Sequence, residues 1–69
     1  MSKMKEFYAE VEEQITNPIQ RNQLKKAFSQ WPQLMLYWQE MIANGEDGKE
    51  AARVCIMKSY RLNTERVLG

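Results

Sequence analysis

The hydrophobic residues of the N-terminal segment recur at the spacing of an α-helix. They are Met4, Phe7, Tyr8, Val11 and Ile15, at successive steps of three, one, three and four positions. Because an α-helix makes one turn in about 3.6 residues, these side chains share one face, and most of the nearby glutamates lie outside it. The pattern predicts an amphipathic helix over residues 2–15.

A second helix is predicted from about Pro18 to Gln30. Asn17 is a favourable N-cap, and proline is tolerated at the first helical position. Gln20 lies three positions after Asn17, so its side chain could return to the cap as in a capping box. The inward residues of this helix are predicted to be Leu24, Ala27, Phe28 and Trp31.

A third helix is predicted between Pro32, which disfavours helical geometry in the residue before it, and the helix-terminating pair Asn44–Gly45. One face contains Leu34, Met35, Trp38, Met41 and Ile42. Leu36 and Ala43 point nearly the opposite way. Because a helix that is apolar on most sides is normally buried on several, this one is predicted either to be central or to join a subunit interface.

The last segment, residues 48–69, is preceded by Asp47, which has capping-box spacing with Glu50. One side of it holds Ala51, Ala52, Cys55, Ile56, Ser59 and Leu62. The small side chains among them predict the close approach of another helix. Since no segment alternates like a strand, the sequence predicts an all-α fold: a small bundle of three to four short helices in a single domain, residues 1–69, which could form a dimer.

The residue types argue against an enzyme. The sequence has no histidine and one cysteine, so the commonest general base and metal ligand are missing. Cys55 lies on the apolar side of its helix and is predicted to be a buried structural thiol. Glu10, Glu12 and Glu13 diverge around a helix instead of converging on a site. We therefore expect no catalytic residues, no metal, no cofactor and no small-molecule substrate.

The single cysteine and the acidic N-terminal segment bear on location. One cysteine forms no internal disulfide, and the first residues lack the apolar core of a signal peptide. No apolar run approaches the ~18 residues of a membrane span. The sequence predicts a soluble cytoplasmic protein without a membrane partner.

Charge alternates along the chain, although ten basic and nine acidic residues leave a net charge of only +1. Residues 1–16 and 32–47 are net acidic, whereas residues 17–31 and 48–69 are net basic. Such alternation pairs neighbouring helices or two chains, or it reflects ordinary solvated faces. The overall balance is too even for a dedicated polyelectrolyte binder.

Aromatic and methionine side chains exceed what a small core needs. Seven aromatic residues and five methionines occur in 69 residues. Phe7, Phe28 and Trp38 are predicted to be core, and the surplus is assigned to a protein interface. The candidate interface residues are Trp31, Leu36, Tyr37 and Met57. The sequence thus predicts a non-enzymatic interaction protein that forms a homodimer or binds and regulates a larger protein.

The basic C-terminal segment supports an alternative. Residues 50–53, Glu-Ala-Ala-Arg, resemble the opening of helix-turn-helix segments in small phage and bacterial DNA-binding proteins, including some small terminase subunits. The resemblance implies a turn at residues 57–59 and a reading helix at 60–68, although Ile56 stands where the turn glycine belongs. The implied DNA-binding residues are Lys58, Arg61, Asn63, Thr64 and Arg66. An uninterrupted amphipathic helix fits the same residues.

Overall fold

Four α-helices account for most of the part of the chain that the computed structural model describes, residues 3–68. They are α1 (Lys3–Gln14), α2 (Pro18–Gln30), α3 (Gln33–Ala43) and α4 (Gly48–Leu68). Side chains are described for residues 5–66, and no strand occurs within residues 3–68. The predicted all-α bundle is confirmed, with four helices joined by short connections.

The start of α2 is determined by Asn17. Its Oδ1 accepts hydrogen bonds from the backbone N–H groups of Ile19 at 2.9 Å and Gln20 at 3.2 Å. Pro18 follows at the first helical position, as predicted. The Gln20 side chain does not complete a capping box: its Nε2 donates to the Lys49 carbonyl at 3.2 Å and so links α2 to the first turn of α4.

The end of α3 requires a glycine. Gly45 has φ +91°, a backbone conformation that side chains with a Cβ rarely adopt. The Gly45 N–H donates to the Ile42 carbonyl, and the Glu46 N–H donates to the Met41 carbonyl, both at 3.0 Å. These two bonds form a Schellman motif, which satisfies carbonyls that the helix end would otherwise leave unpaired. The predicted end at Asn44–Gly45 is confirmed.

The central position in the bundle belongs to α4. It lies against each of the other three helices, and Ala51, Ala52 and Cys55 on its inner face are fully buried. Small side chains allow the neighbouring helices to approach closely, as their clustering predicts. The sequence predicts that α3 is either the central helix or part of a subunit interface. The first of these alternatives is wrong. That helix packs through Leu34 and Trp38 and leaves Leu36 exposed.

Three aromatic rings from α1, α2 and α3 meet in the core. The ring centroids of Phe7 and Phe28 are 5.2 Å apart, and those of Phe7 and Trp38 are 5.7 Å apart. The indole N–H of Trp38 donates to the Gly48 carbonyl at 3.3 Å, which joins this aromatic cluster (Phe7, Phe28 and Trp38) to the first residue of α4. The prediction that all three rings are core is confirmed.

One ion pair connects two helices of opposite charge. Lys25 Nζ on α2 lies 3.0 Å from Glu12 Oε1 on α1. This hydrogen bond and the charge of Lys25 hold the pKa of the Glu12 carboxyl below its usual value. The predicted pairing of neighbouring helices is confirmed at this contact. Because both groups remain partly exposed, the pair orients the two helices more than it stabilises them.

Candidate interaction surfaces

Five large hydrophobic side chains of α3 and α4 are exposed, namely Tyr60, which is 60% exposed, and four others. Leu36 is 64% exposed and Met57 is 68% exposed, while Tyr37 and Val54 are exposed by more than a third. These four residues are called the α3–α4 apolar face below. Across the two helices, Lys58 Nζ lies 4.8 Å from the centre of the Tyr37 ring, a cation–π contact. Three predicted interface residues, Leu36, Tyr37 and Met57, thus belong to one pair of packed helices.

The fourth predicted interface residue, Trp31, is differently placed. Its ring is half-buried against the core, and its indole N–H donates to Asn63 Oδ1 at 3.2 Å. Trp31 is therefore a structural link between the end of α2 and α4. Its half-buried position agrees with the inward placement that the helical pattern of α2 predicts, and its role in a protein interface stays a prediction. Its hydrogen-bond partner, 32 positions away, leaves no local sequence signal.

The predicted helix-turn-helix is absent, because α4 continues without interruption from Gly48 to Leu68. Residues 57–59, the predicted turn, are helical. Ile56, which precedes this stretch, and Ser59, its last residue, are both buried against the rest of the bundle. A turn here would remove one of them from the core, so packing selects the continuous helix.

Most of the predicted DNA-binding side chains already contact other residues of the chain. Lys58 covers the Tyr37 ring, and Arg61 lies 3.8 Å from Glu65 of its own helix. Asn63 binds Trp31 through its oxygen, and through Nδ2 it donates to Gln30 Oε1 at 3.2 Å. Thr64, whose hydroxyl donates to the Tyr60 carbonyl at 2.9 Å, and Arg66 are exposed, and so are Lys58 and Arg61 despite these contacts.

A polar cleft lies along the contact between α2 and α4 and was not expected from the sequence. Its volume is about 280 Å³, and residues of these two helices alone line it. The linked side chains of Gln30 and Asn63 are at its wall. These residues lie 33 positions apart, so no local pattern brings them together.

Cys55 is buried, as predicted. It is fully inaccessible, its Sγ donates to the Leu34 carbonyl at 3.8 Å, and burial raises the pKa of the thiol to about 11. At neutral pH the group is therefore a thiol, not the nucleophilic thiolate. Among the described residues, no group of three or more histidine, cysteine or acidic side chains is placed to hold a metal ion.

We expect Cys55 to react with a thiol reagent about 100-fold or more slowly in buffer than in denaturant. Reaction requires opening of the bundle, which costs up to its full stability of ~3–5 kcal/mol. Colorimetric thiol labelling measures both rates. In a Cys55→Ala background, a Val54→Cys control at the neighbouring exposed position should label quickly. Equally fast labelling of native Cys55 would contradict its burial.

No protein-family model, curated protein sequence or solved structure matches the chain. None of the helices within residues 3–68 is both long and apolar enough to span a bilayer.

Proposed function

We propose that the chain is a non-enzymatic protein-interaction module that binds another protein through the α3–α4 apolar face. The bound chain is either a second copy or a larger protein that it regulates. The observation that carries the proposal is the exposure of Leu36 and Met57 on two helices whose opposite sides are held in the core. Exposed leucine, methionine and tyrosine on a rigid support are typical of the apolar centre of an interface.

The charges around this face favour a protein partner over DNA. Arg53 and Arg61 each have a glutamate of α4 at 3.8 Å, and Lys58 lies over Tyr37. The cations beside the face are thus partly compensated, and the net charge of the whole chain is only +1. A duplex-binding surface needs an uncompensated row of cations to displace counterions from phosphates.

A second copy is the first partner to test. We expect light scattering at micromolar concentration to give a mass of about 16 kDa, twice the 8.2 kDa of the chain, because a two-fold interface would cover the same face on both subunits. Leu36→Glu should return the mass to that of one chain and retain the helical circular dichroism. Ile19→Glu is the matched control, since Ile19 is equally exposed but lies on α2.

The other outcomes of these measurements distinguish a dimer, a larger protein partner and DNA. A monomeric wild-type protein would exclude the dimer, and the face would then have to bind a larger protein in a manner lost in Leu36→Glu and retained in Ile19→Glu. A partner that binds both variants equally would contradict the proposed face. Sub-micromolar binding to a duplex that weakens steeply with salt and is lost in Arg61→Ala and Arg66→Ala would favour DNA instead.

A further inference from the structure

The cleft between α2 and α4 has a donor-rich wall. Its polar side chains are Gln23, Lys26, Gln30, Ser59, Tyr60 and Asn63, and none of its lining residues is acidic. Its volume of about 280 Å³ is close to the lower end of the range for small-ligand sites. Residues of α3 do not contribute, so the cleft is separate from the α3–α4 apolar face.

The side chains of Trp31, Asn63 and Gln30 form a chain of hydrogen bonds that ends in the cleft. Which group donates and which accepts in each bond follows from the chemistry of the side chains. The Trp31 indole nitrogen can only donate, so the atom of Asn63 that faces it must be the oxygen. Asn63 therefore presents its amide nitrogen to Gln30, whose oxygen must accept. This leaves the Gln30 Nε2 amide group, with no partner among the described residues, as a donor oriented by the chain.

Lys26 adds a cation to the cleft, and Ser59 adds a hydroxyl group. Lys26 forms no ion pair within the described part of the chain, unlike its neighbour Lys25, which binds Glu12. Ser59 is only 5% exposed, and among the described residues its hydroxyl has no hydrogen-bond partner. The cleft thus combines one cation with neutral donors and lacks a competing anion.

We propose that this cleft binds a carboxylate. One ammonium group matches a single negative charge, and the neutral donors of Gln30 and Ser59 suit the two carboxylate oxygens. A phosphate carries up to about two negative charges and is usually held by several cations or a helix N-terminus, neither of which lines this cleft. Ala27 and Ile56 provide an apolar wall for the carbon atoms attached to the carboxylate.

Two sources of carboxylate are distinguished by the choice of probe. Butyrate represents a small free acid, and N-acetyl-leucine represents the C-terminus of a peptide. N-acetyl-leucinamide has the same shape without the charge. We expect butyrate and N-acetyl-leucine to shift the NMR signals of the Gln30 and Asn63 side-chain amides and of the Trp31 indole, and the amide to shift none of them. Tighter binding of one acid identifies the preferred source.

The variants test the assigned donors. Lys26→Met should weaken N-acetyl-leucine binding by about tenfold or more, because it removes the charge-assisted hydrogen bond. Lys25→Met is the matched control: it also removes one cation from α2, but Lys25 does not line the cleft, so affinity should be retained. Gln30→Leu should weaken binding as well, with helical circular dichroism confirming that the variant is folded.

Three results would overturn the proposal. They are equal binding of the acid and its amide, tighter binding of inorganic phosphate than of butyrate, and unchanged Gln30 and Asn63 signals in millimolar acid. Leu36→Glu separates this site from the proposed function. It should abolish protein binding by the α3–α4 apolar face and leave the response of the cleft to N-acetyl-leucine unchanged.

Discussion

Replacement of Trp38 by alanine is expected to unfold a large fraction of the protein at room temperature. Trp38 is fully buried within the aromatic cluster, and its indole N–H binds the Gly48 carbonyl. Truncation of a buried tryptophan costs ~3–5 kcal/mol, because it removes apolar contacts and leaves a cavity. A core of this size contributes a net stability of only ~3–5 kcal/mol, so the expected loss is comparable with the entire free energy of unfolding.

Far-UV circular dichroism and thermal melting test this expectation. Gln39→Ala is the control on the same helix, and it should change the stability by about 0.5 kcal/mol or less because Gln39 is exposed and lies outside the α3–α4 apolar face. Trp38→Phe should have an intermediate effect, since it retains a ring but loses the bond to Gly48. A Trp38→Ala protein that melts within a few degrees of the wild type would show that the aromatic cluster does not hold the bundle together.

Replacement of Gly48 by alanine is expected to destabilise the fold by about 1–3 kcal/mol through overpacking. A Cβ at this position would lie 2.7 Å from Gln14 Oε1 and 2.8 Å from Gln14 Cβ. The amide end of Gln14 can rotate away, but its Cβ moves only with the backbone of α1. The first turn of α4 would therefore have to separate from α1, which opposes the gain of up to about 1 kcal/mol in helix propensity from alanine.

Chemical denaturation of a double-mutant cycle isolates this contact. Gly48→Ala should cost less in a Gln14→Gly background, where the obstructing Cβ is absent. Gly45→Ala is the comparison: nothing lies within 4 Å of its Cβ position, so any loss there comes from the backbone strain of its positive φ. An unchanged or increased stability of Gly48→Ala would refute the steric account.

Helix boundaries and much of the core follow from the sequence, because both depend on short-range chemistry. Asn17 caps α2 with an oxygen that reaches N–H groups two and three positions ahead, and Gly45 supplies a backbone conformation needed at one position. The burial of Phe28 and Cys55 follows from hydrophobic periodicity. These interactions span a few residues, so a sequence pattern is enough to predict them. The same local pattern left open whether residues 57–59 form a turn or a helix.

Tertiary structure decided the arrangement of the helices and the nature of the surfaces. By composition α3 is the more apolar helix, yet α4 is central, because Ala51 and Ala52 let neighbouring helices come close. How closely two helices pack depends on side-chain size at their contact more than on the hydrophobicity of either one. The link from Trp31 through Asn63 to Gln30 depends on that packing, since it joins residues 32 and 33 positions apart. The sequence by itself therefore determined the helices and most of their buried faces, and only the tertiary structure decided which polar side chains meet across them.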